Sequence, residues 1–157
     1  MTTASPHAHG VHFGRADVQN VGMGLGIVLM LVGVLGFIPG ITTQYSELMF
    51  LGPASHAMFL GLFQVSMLLN IVQLAIGATG WAMSRTEHGA RNFLMGAGAL
   101  YIVLAIFGLI VGVDSAANFL SLNMMDNWTH LALGIVMIVA GWLFSRNTAA
   151  DRTARYP

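Results

Sequence analysis

Few residues in this chain can do more than pack, and the sharpest grouping of those that can is Asp126-Asn127-Trp128-Thr129-His130. It places a carboxylate, an amide and an imidazole within just over one helical turn, with 126, 127 and 130 on one side. Asn70-x-x-Gln73 is a second polar pair, and Tyr101 adds a phenol. Histidine changes charge near neutral pH, so His130 close to Asp126 could relay a proton or hold a small polar solute. The same two residues imitate a catalytic dyad, but no Ser, Thr or Cys nucleophile is placed convincingly beside them, which argues against an enzyme.

Cofactor chemistry fares no better. The only plausible axial pair for haem is His56 and His130, and His56 falls at the margin of an apolar run, so haem ligation is not expected. The chain has no cysteine, which excludes disulfides, thiol catalysis, Fe–S clusters and thiolate zinc sites. His7, His9 and His12 lie together near the amino terminus and read as a solvated tail rather than a metal site. No metal and no cofactor is expected.

The elements that must position these side chains are membrane spans. Apolar residues make up 56% of the 157 residues and charged residues only 8%, against about 25% charged in soluble domains. Mean hydropathy is +0.74. Four apolar runs, at about 21–38, 57–83, 92–113 and 126–144, are each long enough to cross roughly 30 Å of hydrocarbon. The expected fold is an all-α antiparallel bundle of four transmembrane helices in one domain, with a flexible tail at 1–20 and a second tail at 145–157. The single Arg before the first run, with no small-x-small cleavage site after it, favours a retained anchor over a secretory signal.

All six basic residues fall on one side of this plot: Arg15 before the first run, Arg85 and Arg91 between the second and third, and Arg146, Arg152 and Arg155 after the fourth. Cations resist translocation, so both termini are expected in the cytoplasm. The formal net charge of zero, without blocks of like charge, excludes a nucleic-acid partner and leaves the lipid bilayer as the first one. Pro39-Gly40 and Gly52-Pro53 mark turns in the outer loop, whose Leu48-Met49-Phe50-Leu51 patch is expected at the membrane interface. The turn at 84–91 is tight, making the second and third spans antiparallel neighbours. Trp81, Arg85, Trp142 and Arg146 read as anchors at the inner interface, and Trp128 as one at the outer.

An internal duplication organises the spans. Shifted by 72 residues, Asn20, Met23, Gly24, Gly26, Gly36 and Gly40 fall on Asn92, Met95, Gly96, Gly98, Gly108 and Gly112. Asn70-x-x-Gln73-x-x-x-Gly77 likewise matches Asn127-x-x-His130-x-x-x-Gly134, and both halves end in Trp-x-x-Ser-Arg. The pattern implies two hairpins in parallel repeat, related by an axis along the membrane normal. Small residues, Gly26, Gly36, Gly77, Gly98, Gly108 and Gly134 among them, line the faces through which helices in lipid pack. Polar groups at membrane depth should face that interior. Asp126, Asn127 and His130 are therefore expected to line an outward-opening polar pocket, with Asn70, Gln73 and Tyr101 below it. The plainer reading, in which these groups only bridge helices at about 0.6 kcal/mol per bond, is the stronger one.

At several of these places the chain resembles a known family. The runs Leu60-Gly61-Leu62-Phe63-Gln64-Val65-Ser66, Asn70-x-x-Gln73, Ala90-Arg91, Asp114-Ser115-Ala116-Ala117-Asn118-Phe119 and Asp126-Asn127-Trp128-Thr129-His130-Leu131 look like a bacterial, mainly actinobacterial, four-helix membrane family of unknown function, DUF4383. The resemblance implies a bacterial plasma (inner) membrane and supplies no activity. In that family the position of Gln73 is commonly His, so the departure here argues further against a two-histidine site. The sequence thus points to a small non-enzymatic membrane protein, an accessory or interaction subunit of a larger membrane complex or a homo-oligomer. Gly22, Gly24 and Gly26 do not fit on one helix face, which suggests a second packing surface. The alternatives are a pocket protein that binds or passes a small solute or proton and, least favoured, a haem-binding redox protein.

Overall fold

The structure is a computed structural model that describes the backbone of residues 17–155 and side chains as far as residue 143. His7, His9, His12 and Arg15, and the side chains of Arg146, Arg152 and Arg155, lie outside the described residues. The chain runs α1 (Asp17–Leu35), β1 (Thr42–Thr43), β2 (Met58–Phe59), β3 (Phe63–Gln64), α2 (Met67–Met83), α3 (Glu87–Val111) and α4 (Met124–Arg155). The fold is mostly helical. α1, α3 and the Met124–Leu143 part of α4 are long and apolar enough to cross a membrane.

The second span needs correction. The apolar run 57–83 predicts one long helix, yet only Met67–Met83 is helical, a length of 17 residues. Two local effects stop it. Ser66 takes extended backbone and its Oγ accepts the Leu69 N–H at 3.2 Å, so the helix is capped there. Upstream, Leu60 and Gly61 both have positive φ, 53° and 70°, and fold 58–64 into a hairpin in which Phe59 faces Phe63. Hydropathy cannot distinguish an apolar hairpin from an apolar helix of the same composition. β1 completes a small antiparallel sheet of order β1-β2-β3.

The other helix ends follow from side chains in the same way. Thr86 Oγ1 accepts the Gly89 N–H at 3.0 Å and starts α3. Asn123 and Asp126 exchange bonds at the start of α4, each side chain accepting the other's backbone N–H at 2.9 Å. α3 ends at Gly112 (φ 79°), and Gly40 (φ 95°) follows α1, both in a backbone region that glycine enters without steric cost. At the opposite end, the Gln19 side-chain amide donates to the carbonyls of Ser84 and Arg85, closing the last turn of α2 from α1.

Helix backbones meet where side chains are missing. A Cβ at Gly77 would stand 2.6 Å from the Gly26 carbonyl oxygen, and one at Gly134 would stand 2.7 Å from the Gly98 carbonyl oxygen. α1 thus lies against α2 and α3 against α4 at backbone distance, the kind of contact that holds helices together in lipid. Two apolar clusters fill the remainder. Val18, Leu29, Phe93, Leu94, Tyr101 and Met137 pack together among the helices, while Leu48, Phe59, Val65, Leu69, Leu120 and Leu122 pack beneath the loops.

Gly77→Ala and Gly134→Ala should each lower the thermal midpoint of the detergent-solubilised protein, with overpacking costing about 1–3 kcal/mol. Gly24→Ala and Gly96→Ala, where an added Cβ meets nothing within 4 Å, should leave the midpoint unchanged.

Candidate functional site

The polar residues singled out from the sequence gather beneath a cap made by residues 36–66 and 112–123. α4 contributes Asp126, Asn127 and His130 from its first two turns, α2 contributes Asn70 and Gln73, and α3 contributes Tyr101. All but Gln73, which is half-buried, are closed off from solvent: Asn127 is 0% exposed and Asp126 and His130 are 4% exposed. The group forms an internal seam under the cap, where an outward-opening pocket had been expected.

Asp126 has a defined task. Its Oδ2 accepts the backbone N–H of Gln64 at 3.1 Å and of Asn123 at 2.9 Å. One carboxylate therefore fastens β3 to the first turn of α4, where the helix dipole also favours it. Among the described residues no hydrogen bond joins Asp126 to His130, so the two do not form a dyad. The His130 ring instead lies 5.1 Å from the Tyr101 ring, tilted by 45°, and the Tyr101 hydroxyl donates to Gln73 Oε1. His130, Tyr101 and Gln73 thus make one chain of contacts from α4 through α3 to α2.

Asn70 and Asn127 occupy matching places. Each lies four residues after the capping residue of its helix, Ser66 and Asn123, and each fills the notch of a glycine, Gly36 just past the end of α1 and Gly108 on α3. A Cβ at Gly36 would stand 2.6 Å from Asn70 Cγ, and a Cβ at Gly108 would stand 2.6 Å from Asn127 Cγ. Asn70 Nδ2, both polar atoms of the Asn127 side chain and His130 Nδ1 are buried without a hydrogen-bond partner in the protein. Such atoms cost about 1–3 kcal/mol each, and four of the five found among the described residues lie in the seam, the fifth being Ser84 Oγ.

The cap itself rests on residues whose roles the sequence did not disclose. Asn118 donates to the carbonyls of Val113 and Leu122 and accepts from the Leu122 N–H, each at 2.9 Å. Ser66 Oγ donates to Leu120 O at 3.1 Å, Ser121 Oγ to Gly52 O at 2.5 Å and Asn123 Nδ2 to Leu62 O at 2.9 Å. Ser55 and Gln64 are buried, with Ser55 Oγ bonded to Val65 O and the Gln64 amide to Ser55 O, both at 2.6 Å. The available signal was the density of Asn, Gln and Ser in otherwise apolar loops, but the partners are backbone atoms distant in sequence.

The remaining candidates lie on the surface. Trp81, Trp128 and Trp142 are exposed, and the Arg85 guanidinium sits 4.3 Å over the Trp81 ring. His56 is exposed on the cap while His130 is buried. Among the described residues no three His, Asp or Glu side chains converge as a metal site. Of the 48–51 patch, Leu48 turns inward and Met49, Phe50 and Leu51 are exposed. A groove of about 410 Å³ runs between α2 and α3, lined by Ala75, Thr79, Met83, Asn92, Phe93 and Gly96 among others. A family model described as a domain of unknown function (DUF4383) matches residues 19–143. No curated protein and no solved structure matches the chain.

Asp126→Ala should leave the buried Gln64 N–H and the part-buried Asn123 N–H unpaired, at about 1–3 kcal/mol for a fully buried group, and should lower the thermal midpoint. Asp126→Asn, which keeps an oxygen acceptor, should recover part of the loss.

Proposed function

The chain belongs to the DUF4383 family of unknown function, and we propose that it acts there as a non-enzymatic membrane protein, an interaction subunit that joins further copies of itself or a larger membrane complex. One observation carries this reading. Gly22 and Gly26 on α1 are pressed against Ser84 and against α2, whereas Gly24 between them has nothing within 4 Å of an added Cβ. Gly96 is open in the same way and borders the α2–α3 groove. Open glycines on helices that otherwise pack through glycine leave surfaces on which another helix can approach closely.

The two-hairpin repeat belongs to this proposal, and paired contacts support it. Gly26 meets Gly77 as Gly98 meets Gly134, and Gly36 receives Asn70 as Gly108 receives Asn127. These pairs keep the offsets of 72 and 57 residues seen in the sequence. Gly24 and Gly96 are also equivalent by that offset, so the bundle would present the same kind of surface twice. Placement in a bacterial plasma membrane, which the family resemblance implies, with both termini cytoplasmic, as the one-sided arginines imply, completes the reading.

A second reading, a pocket that binds a small solute or passes a proton, is favoured by the buried unpartnered atoms of Asn70, Asn127 and His130. It is the weaker of the two, because Asp126 is bonded to backbone and the seam is covered.

In native lipid, chemical crosslinking with mass measurement should give oligomers of the wild-type chain. Gly24→Leu and Gly96→Leu should reduce them at unchanged thermal stability, and a strictly monomeric wild type sinks the proposal. His130→Ala should lower folded yield and nothing more. If it abolishes a cellular phenotype at normal abundance, the pocket reading replaces the first.

A further inference from the structure

We propose that the β2–β3 hairpin is a membrane-inserted element, with its Leu60–Leu62 tip seated among the lipids that surround the capped end instead of standing in water. The inference rests on the membrane reading of α3 and α4 and adds a surface which that reading does not assign.

Depth comes first. α2 spans only about 25 Å at 1.5 Å per residue, short of the roughly 30 Å hydrocarbon core, and β3 precedes it almost directly. Hydrogen bonds fix the level of the hairpin against a full-length span. Gln64 N–H donates to Asp126 and Asn123 Nδ2 donates to Leu62 O, so the hairpin lies beside the first turn of Met124–Leu143. The sheet stands at the height where α4 enters the bilayer.

Composition and exposure agree with that depth. Residues 58–66 carry no Asp, Glu, Lys or Arg. Leu60 is 60% exposed and Leu62 is 53% exposed, with Met124, Met125 and Trp128 of α4 also exposed nearby in sequence to the Asn123 contact. Leu60 holds a left-handed backbone (φ 53°), a conformation that costs a non-glycine residue about 1–2 kcal/mol. A water-facing turn favours Asn, Asp or Gly there. The position is occupied by a large apolar side chain that the protein does not bury.

The N–H groups of the tip are paired within the protein. The N–H groups of Leu60, Gly61 and Leu62 donate to Ile41 O at 2.9 Å, Met58 O at 3.3 Å and Phe59 O at 3.1 Å. The Leu62 carbonyl accepts from Asn123. Backbone exposed to hydrocarbon must have its polar groups paired, so a tip whose N–H groups are already paired is suited to the headgroup level, where its remaining carbonyls still meet water. Lipid is the occupant that fits, because the tip lies level with the first turns of α4, where the exposed Trp128 is of the kind that marks the membrane interface.

The absence of cysteine permits a direct test with single-cysteine variants in phospholipid vesicles, each carrying an environment-sensitive fluorophore. Leu60→Cys reports the tip, exposed Val103→Cys on α3 reports mid-span lipid, and exposed His88→Cys reports the turn end. Leu60 should emit to the blue of His88, with iodide quenching several-fold weaker and quenching by lipid-borne spin labels strongest for labels near the headgroup. Leu62→Cys serves as the reporter if Leu60→Cys folds poorly. Iodide quenching at the tip equal to that at His88, with Val103 still quenched from lipid, overturns the inference and leaves the membrane reading standing. Protection of the tip from both quenchers also overturns it and identifies a protein partner on the hairpin. A Val103 label insensitive to lipid quenchers removes the membrane reading and the inference together.

Discussion

The pairing of main-chain polar groups outside the helices is the constraint on which the capped end depends. A helix satisfies its own backbone, but residues 36–66 and 112–123 follow turns and two-residue strands that leave carbonyls and N–H groups to be met by other means. The buried polar side chains of the cap answer that need almost one by one. Asn118 serves both ends of its own loop, Ser66 and Ser121 reach across to Leu120 and Gly52, and Asp126 collects two N–H groups. Of the residues that look like a reaction centre in the sequence, Asp126 is thus occupied with holding irregular backbone together, while Asn70, Asn127 and His130 keep buried atoms unpaired.

Below the cap the governing factor changes to the absence of side chains. Gly26 with Gly77 and Gly98 with Gly134 bring carbonyls to within reach of the facing backbone, where dispersion and weak polar contacts replace a hydrophobic drive that lipid does not provide. Asn70 and Asn127 sit where these two regimes meet, each nested on a glycine and each one turn inside its helix. Their position explains why the seam combines tight packing with incomplete hydrogen bonding: the notch admits the amide but offers it backbone already engaged in a helix.

Much of this was legible from residue types. The apolar runs predicted four helices, three of which have the length and character of membrane spans, and the spacing of small residues picked out the glycines that touch. Asp126, Asn127 and His130 were placed on one helix face, and they share the covered seam. Other features were hidden for physical reasons. Leu60-Gly61-Leu62 has the hydropathy of a span, and only its backbone signs separate a hairpin from a helix. Gln64 and Ser66 bond to Asp126 and Leu120 at separations of 62 and 54 residues, which no local pattern encodes. The depth of the polar cluster was read from helix counting, whereas its closure depends on loops whose course is set by those remote bonds.

The range of these bonds bears on the order in which the molecule is assembled. Gly52, Leu62, Gln64 and Ser66 all find their partners 54 to 69 residues later in the chain, beyond the whole of α3. During synthesis the first hairpin emerges with these groups unmet, and they stay so until the second half has been made. Closing loops of that length carries an entropic cost that local contacts do not. The glycine-packed α1–α2 contact needs nothing from the second half of the chain, whereas these bonds across the cap cannot close until residues 120–126 have been made.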